Sequence, residues 1–145
     1  MKITDIEKLD VEALREFVKT NKLEYDLYGL PIIRLENGEE YAIALDDCVA
    51  FAACETYIEE SLFAFTPSFM AGMTNIPIEI FEALSKTSLC ESLNPAYMAC
   101  IEQTCGFVDF VDAAIRADGR GHFLGIFDGE EIDLPNASAY AYRLS

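Results

Sequence analysis

The sequence predicts an α+β fold in which a small antiparallel sheet packs against several helices. The dipeptide Asn37-Gly38 separates two apolar runs, residues 30–35 and 40–45, and this pattern is typical of a β-hairpin. Residues 140–144 alternate like a final strand, and many apolar residues elsewhere recur every three to four positions, as in helices. We therefore expect the N-terminal hairpin, with strands near 31–35 and 40–45, to form one sheet with the C-terminal strand at 140–144.

Length and composition predict one compact domain over residues 1–145. The chain is 52% hydrophobic, which is far from the composition of a disordered acidic tail. No apolar run reaches the roughly 18 residues that a membrane-spanning helix needs. The first residues lack the apolar core of a secretory signal, so we expect a cytoplasmic protein.

Capping residues and prolines predict where the helices begin. Asp10 precedes an amphipathic helix to residue 19, in which Arg15 and Lys19 are spaced to pair with Glu12 and Glu16. The longest helix is expected to start after Asp46 or Asp47 and to run to about Phe65. Further helices are expected at residues 67–71, from Pro77 with Ile80, Phe81 and Leu84 on its stripe, from Asn94-Pro95 to Gly106, and from Phe107 to Ala117.

Charge is the most pronounced feature of the composition. The chain has 26 Asp and Glu against 10 Lys and Arg, a net charge of −16, and residues 35–85 contain no base at all. Such a field repels nucleic acid and anionic membranes and attracts basic protein surfaces. The acids are either a solvated surface or a surface that binds a partner. The partner-binding candidates lie on the hairpin and on the longest helix: Glu36, Glu39, Glu40, Glu55, Glu59 and Glu60. We expect Glu36 and Glu39 to lie at an exposed turn.

The cysteines and the single histidine do not form a recognisable metal or catalytic motif. Five cysteines without a Cys-x-x-Cys pair, together with one histidine, do not make a zinc site of the usual spacing. We expect reduced thiols that pack as small hydrophobic core residues, without disulfides. A Cys-His-Asp arrangement would need His122, Asp118 or Asp128 and a cysteine, but no cysteine stands in a nucleophile motif.

The segment at residues 118–124 (Asp-Gly-Arg-Gly-His-Phe-Leu) allows two interpretations. Two glycines and Arg120 could form an anion-binding turn to which His122 contributes. Alternatively, carboxylates of the chain neutralise Arg120 and His122 caps a neighbouring carbonyl; in so acidic a chain we favour this second interpretation. Residues 128–133 contain several carboxylates but lack the calcium-loop pattern, so no metal or cofactor is predicted.

The same segment carries a resemblance to known proteins. Residues 118–124, followed by Asp-Gly-Glu-Glu at 128–131 and Tyr-x-Tyr-Arg at 140–143, resemble the C-terminal signature of small acidic proteins encoded by phages and plasmids. Residues 61–65 (Ser-Leu-Phe-Ala-Phe) are similar to the same group. The resemblance implies a mobile-element protein and carries over no catalytic residue.

Two classes of function follow from these features. The first is a non-enzymatic interaction protein whose acids occupy the basic surface of a host protein, such as a defence or nucleic-acid-binding protein, as a nucleic-acid mimic. This class is favoured by the overall charge and by the base-free middle of the chain. The second class is a small-molecule or anion-binding protein, or a small enzyme, that uses the region between Asp118 and Glu131.

Overall fold

The computed structural model describes residues 1–87 and 90–145. They form two compact units: a sheet unit, residues 1–54 and 118–145, and a helical unit, residues 55–117. The division does not test the expectation of one domain over residues 1–145, which stays a prediction. Each unit is described by itself below.

The sheet unit contains five antiparallel strands in the order β1-β2-β3-β5-β4. The strands are β1 (Lys22–Leu27), β2 (Leu30–Arg34), β3 (Glu40–Ala44), β4 (Ile132–Leu134) and β5 (Ala139–Arg143). The α+β prediction is therefore confirmed, and the three predicted strands correspond to β2, β3 and β5. The edge strand β1 was not predicted.

Two tight connections organise the N-terminal part of the sheet. β1 and β2 are joined through Tyr28 and Gly29, whose φ angles are 50° and 86°. The predicted hairpin between β2 and β3 is present, with Gly38 at φ 89° and its N–H donating to the Leu35 carbonyl at 2.9 Å. Glu39 N–H also donates to the Asn37 side chain at 2.9 Å. Arg34 lies opposite Glu40, so five residues, 35–39, connect the two strands instead of two.

One face of the sheet packs on the N-terminal helices, α1 (Ile3–Ile6) and α2 (Val11–Asn21). As predicted, Asp10 caps α2 by accepting a hydrogen bond from Ala13 N–H at 2.8 Å. Residues at every second position of β2, β3 and β5 face these helices, because side chains alternate across a strand. The resulting core contains Ile6, Leu14, Val18, Ile33, Leu35, Tyr41, Ile43, Ala139 and Ala141.

The remaining helices are α3 (Asp47–Glu60), α4 (Pro67–Thr74), α5 (Ile78–Thr87), α6 (Asn94–Glu102), α7 (Phe107–Asp118) and α8 (Arg120–Leu124). Single 3₁₀ turns occupy residues 62–64, 91–93 and 135–137. The prediction that the longest helix reaches Phe65 is wrong: α3 ends at Glu60 and a 3₁₀ turn follows. α4 continues beyond the predicted residue 71, until Asn75 ends it in the left-handed conformation (φ 60°).

Two further predictions about the helical unit need correction. Asn94 does not cap its own helix, because it is already the first residue of α6. Its amide instead donates to the Glu60 carbonyl at 2.8 Å and accepts from Phe63 N–H at 2.9 Å, so it satisfies backbone groups at the end of α3. Ile80 is exposed, and Phe81 is the buried residue of α5, with its ring packed edge-on against Tyr97.

Candidate functional site

The segment at residues 118–124 is a helix stop followed by a short helix, rather than the predicted turn. Gly119 ends α7 with φ 84°, as its position predicts. Gly121 does not turn the chain again; it lies inside α8. A Cβ at Gly121 would lie 2.5 Å from the Glu130 carbonyl carbon and 2.7 Å from Glu131 N. The residue is glycine because the backbone of residues 129–131 passes directly over α8.

This close approach places Arg120 against carboxylates from two parts of the sheet unit. Its Nε donates to Glu131 Oε2 at 2.7 Å and its Nη2 to Glu131 Oε1 at 3.1 Å, a bidentate pair. Its Nη1 donates to Asp47 Oδ1 at 2.9 Å. The guanidinium also stacks on the ring of Tyr140, 4.3 Å from its centroid. The prediction that the chain itself neutralises Arg120 is confirmed.

Burial and hydrogen bonding set the protonation of this cluster. Desolvation alone would lower the pKa of Arg120, but the hydrogen bonds to Glu131 and Asp47 outweigh it and raise that pKa. The hydrogen bonds from Arg120 and then Tyr140 lower the pKa of Asp47. Tyr142 donates to Glu131 Oε2 at 2.5 Å, and burial followed by this bond raises the pKa of Tyr142. The guanidinium is therefore a fixed cation with two fixed anions, and it is not available to an external anion.

The charges of Arg120 and Glu131 act on the pKa of the Cys54 thiol, but this thiol is not activated as a nucleophile. The residue is fully buried, and burial raises the pKa of the thiol to about 12. A nucleophilic cysteine needs the opposite shift, because the thiolate is the reactive form. The expectation of core thiols holds for Cys54 and is wrong for Cys48 and Cys90, which are exposed.

His122 does not complete a catalytic arrangement. It is exposed on α8, with its ring edge-on to Phe123 at 5.0 Å between centroids. In the described residues it makes no hydrogen bond to a thiol, to a carboxylate or to the carbonyl that we expected it to cap. Asp128 instead accepts from Glu130 N–H at 3.0 Å, within the turn. Within residues 1–87 and 90–145, no group of three or more His, Cys, Asp or Glu could hold a metal ion.

Two of the three candidate acids at the hairpin form ion pairs with arginines of the sheet unit. Glu39 accepts from Arg143 Nη2 at 3.0 Å and from Tyr41 Oη at 2.8 Å, and its side chain is only 27% exposed. The bond from Tyr41 is the main reason that the pKa of Glu39 is lowered. Glu40 accepts from Arg34 Nε at 2.9 Å. The expectation that Glu39 lies exposed at the turn is therefore wrong, because the register pairs Arg143 with Tyr41 and the Arg143 guanidinium reaches Glu39 from there.

The other four candidate acids remain accessible. Glu36 lies in the turn as predicted, with its side chain 89% exposed and one oxygen 3.2 Å from the amino group of Met1. Glu55 is half-buried on α3, and Glu59 and Glu60 are exposed at its end. In the part of the chain that the structure describes, none of these three helix acids has a cation within ion-pair distance.

One set of basic residues was misjudged from the sequence. Arg15 and Lys19 were expected to pair with acids on their own helix, yet neither takes part in an ion pair among the described residues. With Lys22 they line a groove of the sheet unit with a volume of about 600 Å³. The pattern of bases at positions 15, 19 and 22 could have indicated this cluster, since it recurs at helical spacing.

No protein-family model, curated protein or solved structure matches the chain. The resemblance to phage- and plasmid-encoded proteins therefore stays a prediction. None of the helices in the described part of the chain is both long and apolar enough to cross a bilayer.

Proposed function

We propose that the protein is a non-enzymatic, acidic interaction protein of a phage or another mobile element. It acts in the cytoplasm of a bacterial host, where it occupies the basic surface of a host defence or nucleic-acid-binding protein. Its carboxylates stand in for the phosphates that this surface would otherwise bind, so the protein is a nucleic-acid mimic.

The observation that carries the proposal is the unpaired charge of the helical unit. Residues 55–117 contain nine Asp and Glu against two Lys and Arg. Among the described residues of this unit, one acid, Asp112, is ion-paired, with Arg116. The acids without such a partner are Glu55, Glu59, Glu60, Glu79, Glu82, Glu91, Glu102 and Asp109, and all but the half-buried Glu55 are exposed.

The ion pairs of the sheet unit indicate which acids to leave out of the binding surface. Glu39, Glu40, Asp47 and Glu131 each hold an arginine, and a partner would have to break these pairs to use them. Glu55, Glu59 and Glu60 form no ion pair among the described residues, and the 89% exposed Glu36 would release only the amino group of Met1. We therefore retain these four of the six candidate acids.

Exposed apolar side chains support a protein as the partner. In the helical unit, Val108 is 60% exposed beside Asp109, and Ile80 is 49% exposed beside Glu79. Protein interfaces commonly combine apolar contacts with a charged, solvated rim. The corresponding surface of the partner would carry Lys and Arg around apolar groups.

The alternative function, a small-molecule or anion site or a small enzyme between Asp118 and Glu131, loses its principal residue. Arg120 is bound to Glu131 and Asp47, so it offers no free cation to a ligand. Cys54 and His122 do not form a pair in which a histidine base activates a cysteine nucleophile. No other observation in that region favours this class.

The proposal is tested by affinity capture from bacterial lysates at low salt, followed by elution with rising salt. The Glu55→Gln/Glu59→Gln/Glu60→Gln variant removes three negative charges from the helical unit. A matched variant, Glu7→Gln/Glu12→Gln/Glu16→Gln, removes three from the sheet unit. At about 0.5 kcal/mol for each exposed charge, the first variant should bind the captured protein roughly tenfold more weakly.

The matched variant should bind nearly as well as the unaltered protein, and all retention should fall with salt because exposed charges are screened. Capture that resists high salt would contradict the proposal. So would equal losses in the two variants, because they would indicate a response to net charge alone.

A further inference from the structure

We propose that the groove between α2 and β1 binds a small organic anion, with a phosphate or carboxylate headgroup and an apolar body. The groove lies in the sheet unit and has a volume of about 600 Å³. Ligand pockets typically have volumes of about 300–1,000 Å³. This site uses none of the acids proposed to bind a host protein, and it concerns a different kind of ligand.

The groove collects cations that the chain leaves unpaired. Arg15 and Lys19, one helical turn apart on α2, and Lys22 at the start of β1 all line it. In the described residues, none of the three has a carboxylate oxygen within 4.0 Å. By contrast, the other four arginines are all ion-paired: Arg34, Arg116, Arg120 and Arg143. In a chain of net charge −16, three unpaired bases around one cavity make a local reversal of sign.

Stabilisation of the α2 dipole explains only part of this cluster. Cations in the last turn of a helix contribute about 0.3–1 kcal/mol each, which covers Lys19 and Lys22 at the end of α2. Arg15 lies in the middle of α2, where the dipole has little effect. A guanidinium is also the side chain best suited to hold a phosphate or carboxylate through two parallel hydrogen bonds.

Among the described residues, the two acids that line the groove, Glu24 and Asp26, form no ion pair with these bases. Asp26 accepts a hydrogen bond from Gly29 N–H at 3.2 Å, so it is committed to the β1–β2 turn. Glu24 is exposed and makes no ion pair in the described residues. The lining therefore carries three positive and two negative side chains, and its α2 side is entirely positive.

The floor of the groove is apolar. Pro31 and Leu45 line it, and they share the sheet face of Ile33 and Ile43, because side chains at every second position point the same way. Val18 and Leu23 add apolar surface from α2 and β1. A bare inorganic ion would leave this floor uncovered, whereas an aryl or short alkyl group on the anion would cover it.

Calorimetry with four probes tests the assignment: phenyl phosphate, phenylacetate, inorganic phosphate and phenol. Phenyl phosphate or phenylacetate should bind, and the tighter of the two identifies the headgroup. Inorganic phosphate and phenol should each bind at least tenfold more weakly than that probe. Equal binding of inorganic phosphate would overturn the apolar part of the proposal, and equal binding of phenol would overturn the anionic part.

Three variants test whether the better probe binds in the groove. Arg15→Ala and Lys19→Ala should each weaken the better probe roughly tenfold, since each removes a charge-assisted hydrogen bond. Arg15 and Lys19 are exposed, so their loss leaves the core of α2 intact. Lys8→Ala removes one exposed charge from the same unit, outside the groove, and should leave the affinity unchanged. No binding of either organic anion, or equal effects of the three variants, would overturn the proposal.

Discussion

The guanidinium of Arg120 and the carboxylate of Glu131 meet through two hydrogen bonds, Nε to Oε2 at 2.7 Å and Nη2 to Oε1 at 3.1 Å. Both side chains are largely buried, with 16% and 26% of their surface exposed. Arg120 also bonds to Asp47 at the start of α3, and Glu131 accepts from Tyr142 on β5. This pair therefore joins α8, α3 and the sheet.

Removal of Arg120 should destabilise the protein. Arg120→Ala leaves Glu131 without its cation, and breaking a largely buried ion pair costs about 2–3 kcal/mol of unfolding free energy at these exposures. Arg120→Lys should cost less, because it keeps the charge and loses the bidentate geometry. Urea denaturation measures both.

The matched control is Arg116→Ala, which removes an exposed i,i+4 pair with Asp112 and should cost no more than about 0.5 kcal/mol. If Arg120→Ala costs no more than this control, the structural role assigned to Arg120 is wrong.

Two glycines in helices should respond to alanine in opposite directions. Gly121→Ala places a Cβ 2.5–2.7 Å from backbone atoms of residues 129–131, so the loop must move and stability should fall by about 1–3 kcal/mol. Gly72 in α4 has no atom within 4 Å of the added Cβ, so Gly72→Ala should raise stability by about 0.5–1 kcal/mol. Thermal or urea denaturation of the two variants decides this, and a neutral Gly121→Ala would contradict the close approach of α8.

Stability should fall in alkali, in part because of Tyr41. Burial, followed by the hydrogen bond to Glu39, raises the pKa of Tyr41 from 10.0 to about 12. Between these values the folded chain keeps a proton that the unfolded chain loses, so this contribution is complete below pH 10 and lost as pH rises towards 12.

The unfolding free energy of Tyr41→Phe should therefore decline less steeply across this window than that of the unaltered protein. The difference in slope is up to about 1.4 kcal/mol per pH unit, which corresponds to one proton. Urea titrations at several alkaline pH values measure the slope. An unaltered slope in Tyr41→Phe would show that Tyr41 ionises normally.

Local patterns were sufficient to predict part of the fold. Asn37-Gly38 indicated the hairpin, and Asp10 was recognised as a cap, which the structure bears out. The β1–β2 hairpin was missed because its turn is Tyr28-Gly29, and tyrosine with φ 50° is not a residue that turn patterns anticipate. β1 also exposes most of its side chains, so it lacks the alternation that identifies a half-buried strand.

For the candidate site, the sequence predicted only those features that follow from the excess of acids over bases. The neutralisation of Arg120 followed from the excess of acids, but its partners did not, because Asp47 is 73 residues away in the chain. The pairing of Glu39 with Arg143 spans 104 residues and depends on the β3–β5 register. Gly121 was wrongly interpreted as part of a turn, since only the folded chain shows the backbone that passes over it.

The central claim is that the carboxylates of the helical unit replace nucleic-acid phosphates on a basic host surface. The most direct measurement is competition: the captured host protein is immobilised, loaded with this protein, and challenged with duplex DNA at fixed salt. DNA should displace the protein, and the Glu55→Gln/Glu59→Gln/Glu60→Gln variant should be displaced at roughly tenfold lower DNA concentration. A ternary complex, in which DNA and this protein bind the partner together, would contradict the claim.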